Sequence, residues 1–211
     1  MIFENRFDAA LQLIPLLEKY QNEKGVILAI PRGGVPIGYH IAKKFHFPLE
    51  LLLTKKIGHP LNKEFAIGAV SLGGQIVDSK YKVDDEYIAN EIKRTRKSLW
   101  DRYRKFMGDR NPIDLKDKLV IIVDDGIATG ITMMAAIDMI RQQMPRKIVV
   151  AVPVASVEAA NKIKEAVDDF ICLATPEDFM AVGQYYYNFA QVSDAEVIEL
   201  LKEIQQFPRP A

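Results

Sequence analysis

The stretch Leu119-Val-Ile-Ile-Val-Asp-Asp-Gly-Ile-Ala-Thr-Gly-Ile-Thr132 decides how the rest of the chain is read. Leu119 to Val123 is a short, unbroken apolar run, the pattern of a strand buried on both faces of a parallel sheet. It delivers two carboxylates, Asp124 and Asp125, to its C-terminal end, where open α/β sheets bind their ligands. A loop of small residues follows and opens a helical pattern from Thr132 to Met144. Small residues let backbone N–H groups converge on an anion, and the helix N-terminus adds partial positive charge. The hydroxyls of Thr129 and Thr132 can join them. One segment therefore offers acceptors for sugar hydroxyls or a metal beside a nest for a phosphate, and a phosphorylated sugar would satisfy both.

Working outward, the same strand unit recurs at Val26–Ile30, Leu49–Thr54, Lys147–Val152 and, more weakly, Phe170–Ala174. Helical patterns lie at Phe7–Tyr20, with Pro15 interrupting its middle, and at Val35–Phe45 and Val157–Val167. Alternation of this kind predicts an α/β fold, a Rossmann-like parallel sheet of about five strands flanked by helices. The second strand and Leu119 are separated by far more chain than a crossover needs. Part of this stretch, Ala66–Val77, reads as a hairpin turning at Gly73-Gly74. Asp84–Met107 reads as a long amphipathic helix with Ile88, Ile92, Leu99, Tyr103 and Phe106 on one face. We expect one domain over residues 1–211, with an insertion at about 57–117. A final helix is capped by Ser193, with Glu196 three residues on, and ended by Phe207-Pro-Arg-Pro210.

An acidic pair alone could simply end a strand and cap the next helix. The Thr-Gly-x-Thr that follows at fixed spacing argues against that. A Walker-B segment is disfavoured because no G-x-x-x-x-G-K-[ST] occurs, and a receiver-type acidic pocket because the pair follows the third strand, not the first. A second candidate, Ile30-Pro-Arg-Gly-Gly34, stands after the first buried strand and before a helix. By itself Pro-Arg-Gly-Gly is an ordinary turn; in this position its glycines would let backbone approach a ligand.

Residues 120–132, VIIVDDGIATGIT, resemble the phosphoribosyl-pyrophosphate (PRPP) signature of the type I phosphoribosyltransferases, and PRGG stands where that family has its pyrophosphate loop. With TKKIGHP, these motifs are most similar to a bacterial subgroup of the family. The likeness in element order runs from about Gly25 to Thr175. It implies that Asp124 and Asp125 hold the ribose hydroxyls. Ile127, Ala128, Thr129, Gly130, Ile131 and Thr132 would cradle the 5′-phosphate, and Arg32, Gly33 and Gly34 would contact pyrophosphate. The family often holds a cis peptide in this loop, at Pro31-Arg32 or Arg32-Gly33 here. Lys55 or Lys56, at the end of the second strand, matches a position that can reach pyrophosphate; strand alternation sends the two to opposite faces. Ile57–Gly74 corresponds either to the family's mobile loop or to a static surface hairpin.

The resemblance further implies transfer of phosphoribose from PRPP to a nitrogenous acceptor such as a nucleobase. Mg²⁺ would be held mainly by PRPP oxygens and water, and by Asp124 or Asp125 if by any side chain. A small hood at about 175–190 would cover the acceptor, with Tyr185, Tyr186, Tyr187, Phe179 and Phe189 either stacking on it or serving as packing. Ala128 replaces the Asp that contacts purine in 6-oxopurine enzymes, so the acceptor stays open. The alternative function is a PRPP- or nucleotide-sensing regulator of the same fold without turnover; hydrolysis of PRPP is a third.

Composition sets outer bounds. Lys plus Arg and Asp plus Glu each number 28, so the chain carries no surplus of positive charge for coating nucleic acid or a membrane. The basic residues of 84–110 read as a solvated helix face, and nucleic acid is not an expected partner. Cys172 is the only cysteine, which excludes an intrachain disulfide framework and fits a small core residue. Glu4, Arg6 and Asp8 stand where a secretion leader would be apolar. No Cys joins His40, His46 or His59 to suggest a protein-built zinc site. The expectation is a cytoplasmic protein, as a monomer or a homodimer.

Overall fold

The computed structural model describes residues 2–206. The expected stop at 207–210 lies outside them. Helix α1 (Arg6–Leu17) runs through Pro15 and tightens into a 3₁₀ turn at Glu18–Tyr20. Then follow β1 (Gly25–Ala29), α2 (Gly34–Phe45), β2 (Leu49–Leu51), β3 (Thr54–His59), β4 (Asn62–Ser71), β5 (Gln75–Val77) and α3 (Asp85–Met107). The chain continues through β6 (Leu119–Val123), α4 (Ile131–Arg141), β7 (Lys147–Val154), α5 (Val157–Ala166), β8 (Asp169–Ala174), a 3₁₀ turn at Val182–Tyr185 and α6 (Asp194–Gln206).

Five strands form the parallel sheet that the apolar runs predict, in the order β2-β1-β6-β7-β8. Alternation along each strand explains why the runs are apolar throughout. Ile27, Ala29, Ile121 and Val123 face a core built from α1, α2, α3 and α6, whereas Val26, Leu28, Val120 and Ile122 face α4 and α5. The chain starts this sheet at β1, steps to β2 on one side, and returns as β6 on the other. The C-terminal ends of β1 and β6, paired at Ala29 and Val123, therefore form the switch point at which such sheets open a crevice.

The inserted segment departs from the expected layout at its start. Leu49–Thr54 is not one strand: β2 stops at Leu51, and Thr54 begins β3 of a separate antiparallel sheet, β3-β4-β5. Lys55 and Lys56 therefore sit on this second sheet and not at the end of the second core strand. The hairpin turn falls between β4 and β5 as the two glycines predict, with Gly74 N–H donating to Ser71 Oγ.

Helix α3 is capped by Asp84, which accepts from Tyr87 N–H, and carries acids in its first turn and bases in its last, matching the helix dipole. Ile92, Leu99, Tyr103 and Phe106 are buried in the same core as β1 and β6. A buried carboxylate fastens the insertion: Glu50 on β2 accepts from Tyr103 Oη at 3.0 Å and from the Ile113 and Leu51 amides. Burial pushes this carboxyl up from its ordinary range, and its three donors oppose the shift. Among the described residues no helix is long and apolar enough to cross a membrane.

Candidate functional site at the switch point

Both expected loops lie at the carboxyl ends of the two central strands, side by side. After β1 the chain passes through a cis peptide at Pro31-Arg32 and enters α2 at Gly34. After β6 it passes Asp124 and Asp125 and enters α4 past Gly130, whose φ of 74° is left-handed backbone that glycine adopts freely. Ile30 N–H donates to the Val123 carbonyl, tying the loops at their roots.

Their closeness depends on missing side chains. A Cβ on Gly33 would lie 1.9 Å from Asp125 Oδ2, and one on Gly34 would lie 2.6 Å from the Val123 carbonyl oxygen. Gly126 is likewise pressed on Val182 of the hood, 2.6 Å from where a Cβ would stand. Ile127 is buried and bridged to Ala155, and Ser156 Oγ donates to the Ala128 carbonyl at 2.6 Å. Ala128, Thr129, Ile131 and Thr132 are exposed on the outer rim of this loop.

The helix starts are unequal. Among the described residues α1, α3, α5 and α6 each receive a side-chain cap, from Asn5, Asp84, Ser156 and Ser193. The helices that leave the two loops, α2 and α4, receive none. At α2 the first two N–H groups turn to loop carbonyls, Gly34 to Ile30 and Val35 to Arg32, and neither helix start has a side-chain acceptor for its positive end.

The acidic pair is asymmetric. Asp125 Oδ2 accepts two bonds from Arg6, from Nε at 2.9 Å and Nη2 at 2.7 Å, in an ion pair about 12–15% exposed. Asp124 Oδ1 accepts from the Asp125 amide at 2.8 Å. Burial first, and the neighbouring Asp125 charge second, hold the Asp124 carboxyl well above the usual carboxylate range. Among the described residues no three His, Cys, Asp or Glu side chains converge as a metal cage.

Arg6 is the residue that sequence reasoning passed over, noting it only as a charge incompatible with a leader. It also donates to the Ala190 carbonyl at 2.8 Å and stacks 4.1 Å over the Phe189 ring. The segment before it meets the hood in an isolated β-bridge: Phe3 N–H donates to the Tyr185 carbonyl, and Tyr187 N–H to the Phe3 carbonyl. Its only sequence signal was the apolar Ile2-Phe3 ahead of the first helix.

The hood aromatics divide. Tyr186 is buried and its Oη donates to the Asp125 carbonyl at 2.6 Å, Phe179 stacks on Tyr185, and Tyr187 is 72% exposed. Cys172 is half-buried with its thiol pushed up to about 11 by burial, as befits packing and not nucleophilic chemistry.

The expected basic residues are placed differently from one another. Arg32 Nη1 lies 3.3 Å from Asp194 Oδ1 on α6. Lys55 and Lys56 are both exposed and line a cleft of about 420 Å³ between the second sheet and α4, together with Thr132, Ile131 and Asp138. Lys56 Nζ pairs with Glu64 across the hairpin at 2.7 Å. The cleft thus joins the second sheet to the α4 side of the loop 127–132.

Comparison with known proteins bears on the family and the fold. Residues 9–190 match the phosphoribosyl transferase domain family. Two proteins from Mycobacterium tuberculosis, strains CDC 1551 and H37Rv, bear provisional phosphoribosyl transferase names and are each 37% identical over 205 residues, or 95% of this chain. That match takes in 46% of either relative, so the chain spans about half the length of the curated relatives it matches. The crystal structure of TT1426 from Thermus thermophilus is 38% identical and superposes with a TM-score of 0.83, covering 96% of this chain and 99% of that one. A hypothetical protein from Neisseria gonorrhoeae with bound ppGpp, 18% identical with a TM-score of 0.52 over 96% of each chain, shares the fold alone. On the family match and the extent of these identities, the chain belongs to the phosphoribosyl transferase domain family.

Proposed function

We propose that the protein transfers the phosphoribosyl group of PRPP to a nitrogenous acceptor and releases pyrophosphate. One observation carries the reading: the two helix N-termini left without side-chain caps open on adjacent strand ends, with an acidic pair between them. A ligand with an anion at each end and a polyol in the middle answers that arrangement.

In this reading the loop 127–132 takes the 5′-phosphate through its amides and the Thr129 and Thr132 hydroxyls. Asp124 and Asp125 accept from the ribose hydroxyls. Arg32 and the Gly33 amide hold the pyrophosphate, Gly34 giving the loop room for its close approach while its own N–H stays on the Ile30 carbonyl, with Lys55 or Lys56 brought in from the second sheet. The C1–oxygen bond to pyrophosphate breaks, the acceptor nitrogen bonds to C1, and the proton of that nitrogen leaves to base or solvent. Positive charge builds on the ribose in between, beside two carboxylates, while negative charge builds on pyrophosphate, beside Arg32 and a helix end. The hood and the β3–β4 hairpin exclude water that would otherwise hydrolyse the donor.

The donor set suits Mg²⁺ that arrives on diphosphate oxygens, since two carboxylates, one already on Arg6, do not make a cage. Bound there, the ion would neutralise leaving-group charge, with Asp124 or Asp125 its contact if any side chain supplies one.

Pyrophosphate release from PRPP, measured across purines, pyrimidines and related amines, tests the reading. Release with at least one acceptor, lost in Asp124→Asn/Asp125→Asn, is the expected result. Full activity in that double variant would overturn the site. PRPP binding without release with any acceptor would support a sensing role instead.

A further inference from the structure

Arg32 does not stand alone beside its loop. The carboxylate of Asp194, in the first turn of α6, accepts from Arg32 Nη1 through Oδ1 at 3.3 Å and from Lys105 Nζ through Oδ2 at 2.6 Å. Three distant parts of the chain meet here: the loop after β1, the last turn of α3 and the start of α6. We propose that Asp194 is an internal stand-in for the leaving diphosphate, and that Lys105 is a second cation of the diphosphate subsite, supplied by the inserted helix. This assignment rests on the PRPP reading above and extends it to residues outside the two loops.

The geometry favours replacement of the carboxylate by a phosphate. Two oxygens of one anion bridge a guanidinium and an ammonium, and two non-bridging phosphate oxygens can do the same with more charge. Side-chain exposures of 33% for Arg32, 59% for Lys105 and 34% for Asp194 leave the group open to a ligand from solvent. Exposed ion pairs of this sort are weak, and the contact to Arg32 is the looser of the two.

Asp194 is also dispensable to its own helix. The cap of α6 is Ser193, whose Oγ accepts from Glu196 N–H at 3.1 Å, so Asp194 can swing away without uncapping α6. The two cations, by contrast, are brought together by the core packing of their elements. Ile92, Leu99, Tyr103 and Phe106 fix α3, which carries Lys105, and Val35, Ile37 and Ile41 fix α2, whose start anchors the loop that carries Arg32.

Opposite signs in two variants separate this role from a structural one. The affinity of the full chain for inorganic pyrophosphate, with and without Mg²⁺, is measured by calorimetry for wild type, Lys105→Gln, Asp194→Asn and Arg32→Gln. We expect Lys105→Gln to bind roughly threefold more weakly and Asp194→Asn roughly threefold more tightly, the scale of an exposed ion pair. The KM for PRPP should move in the same two directions with kcat little changed. Equal melting temperatures would show that each variant folds. If Arg32→Gln weakens binding while the other two match wild type, or both shift in one direction, the assignment is wrong and the PRPP reading stands. If wild type binds neither pyrophosphate nor PRPP, both fall together.

Discussion

The loop after β1 and the loop after β6 both run into a helix without a side-chain cap, yet one is packed shut and the other is open. At Gly33 and Gly34 there is no room for a methyl group against Asp125 and Val123. The outer loop is braced from beneath, by Ile127 on Ala155 and Ser156 on Ala128, while Thr129 and Thr132 remain exposed. Position in the first loop is fixed by the absence of side chains; in the second it is fixed by neighbours that leave the rim free. Substitutions in the first should therefore cost fold and function together, and those on the rim of the second should cost function alone.

The sharpest test is Gly34→Ala. Its methyl would meet backbone atoms, the Val123 carbonyl oxygen at 2.6 Å and Asp124 Cα at 2.9 Å, and neither can turn aside as a side chain would. Overpacking of this kind costs about 1–3 kcal/mol, so thermal unfolding should shift several degrees lower and PRPP-dependent pyrophosphate release should be lost. An Ala variant with wild-type melting and turnover would show that the first loop is not packed as described.

Arg6→Ala comes next, because Arg6 joins the acidic pair to the hood. Removing it strands Asp125 and frees the Ala190 carbonyl and Phe189 together. Breaking a buried pair by deleting one partner costs about 3–5 kcal/mol; with 12–15% exposure here, about 2 kcal/mol in urea unfolding is the expectation. Arg6→Lys should recover part of it, since the charge returns without the two parallel bonds. Equal stability of all three proteins would mean that the pair contributes nothing.

This pair also shows where reading the sequence succeeds and stops. The parallel five-strand core was legible because five short apolar runs have one physical use, and the Asp pair and the glycines were legible because strand ends and loop starts carry local signatures; the order of the strands was not. Arg6 was not, since its partner lies 119 positions away and nothing local marks a basic residue in a first helical turn as bound. Glu50 escaped for the same reason: a carboxylate in an apolar strand makes sense only once Tyr103 and Ile113 are folded against it. The placement of Lys55 and Lys56 went astray because Leu49–Thr54 reads as one strand that ends beside them, when the chain in fact changes sheets between Leu51 and Thr54.

Electrostatic asymmetry within the pair gives a pH-dependent prediction. Asp124 has a folded-state value raised above its ordinary 3.8, by burial and then by Asp125. A raised carboxyl stabilises the fold while protonated and loses that contribution as pH climbs through the folded value. Asp124→Asn should thus be more stable than wild type without ligand at neutral pH, and its advantage should shrink as pH falls toward 3.8. Melting temperatures of both proteins across that range decide the matter. A difference that stays constant with pH would show that Asp124 does not carry the strain.

The mildest effect belongs to the open rim. Thr129→Ala and Thr132→Ala remove exposed hydroxyls that make no bond to the rest of the protein among the described residues, so the fold should be indifferent. If the rim grips a phosphate, each change removes one hydrogen bond to an anion, about 1.5 kcal/mol, and raises the KM for PRPP roughly tenfold with melting unchanged. Thr132 borders the cleft that holds Lys55 and Lys56, whereas Thr129 does not line it. A charge change at Lys55 should therefore alter the consequence of Thr132→Ala more than that of Thr129→Ala, a non-additivity that double-mutant cycles detect between close sites. Strict additivity at both threonines would separate the second sheet from the phosphate loop, and the comparison between a closed and an open loop would then lose its link to the hairpin.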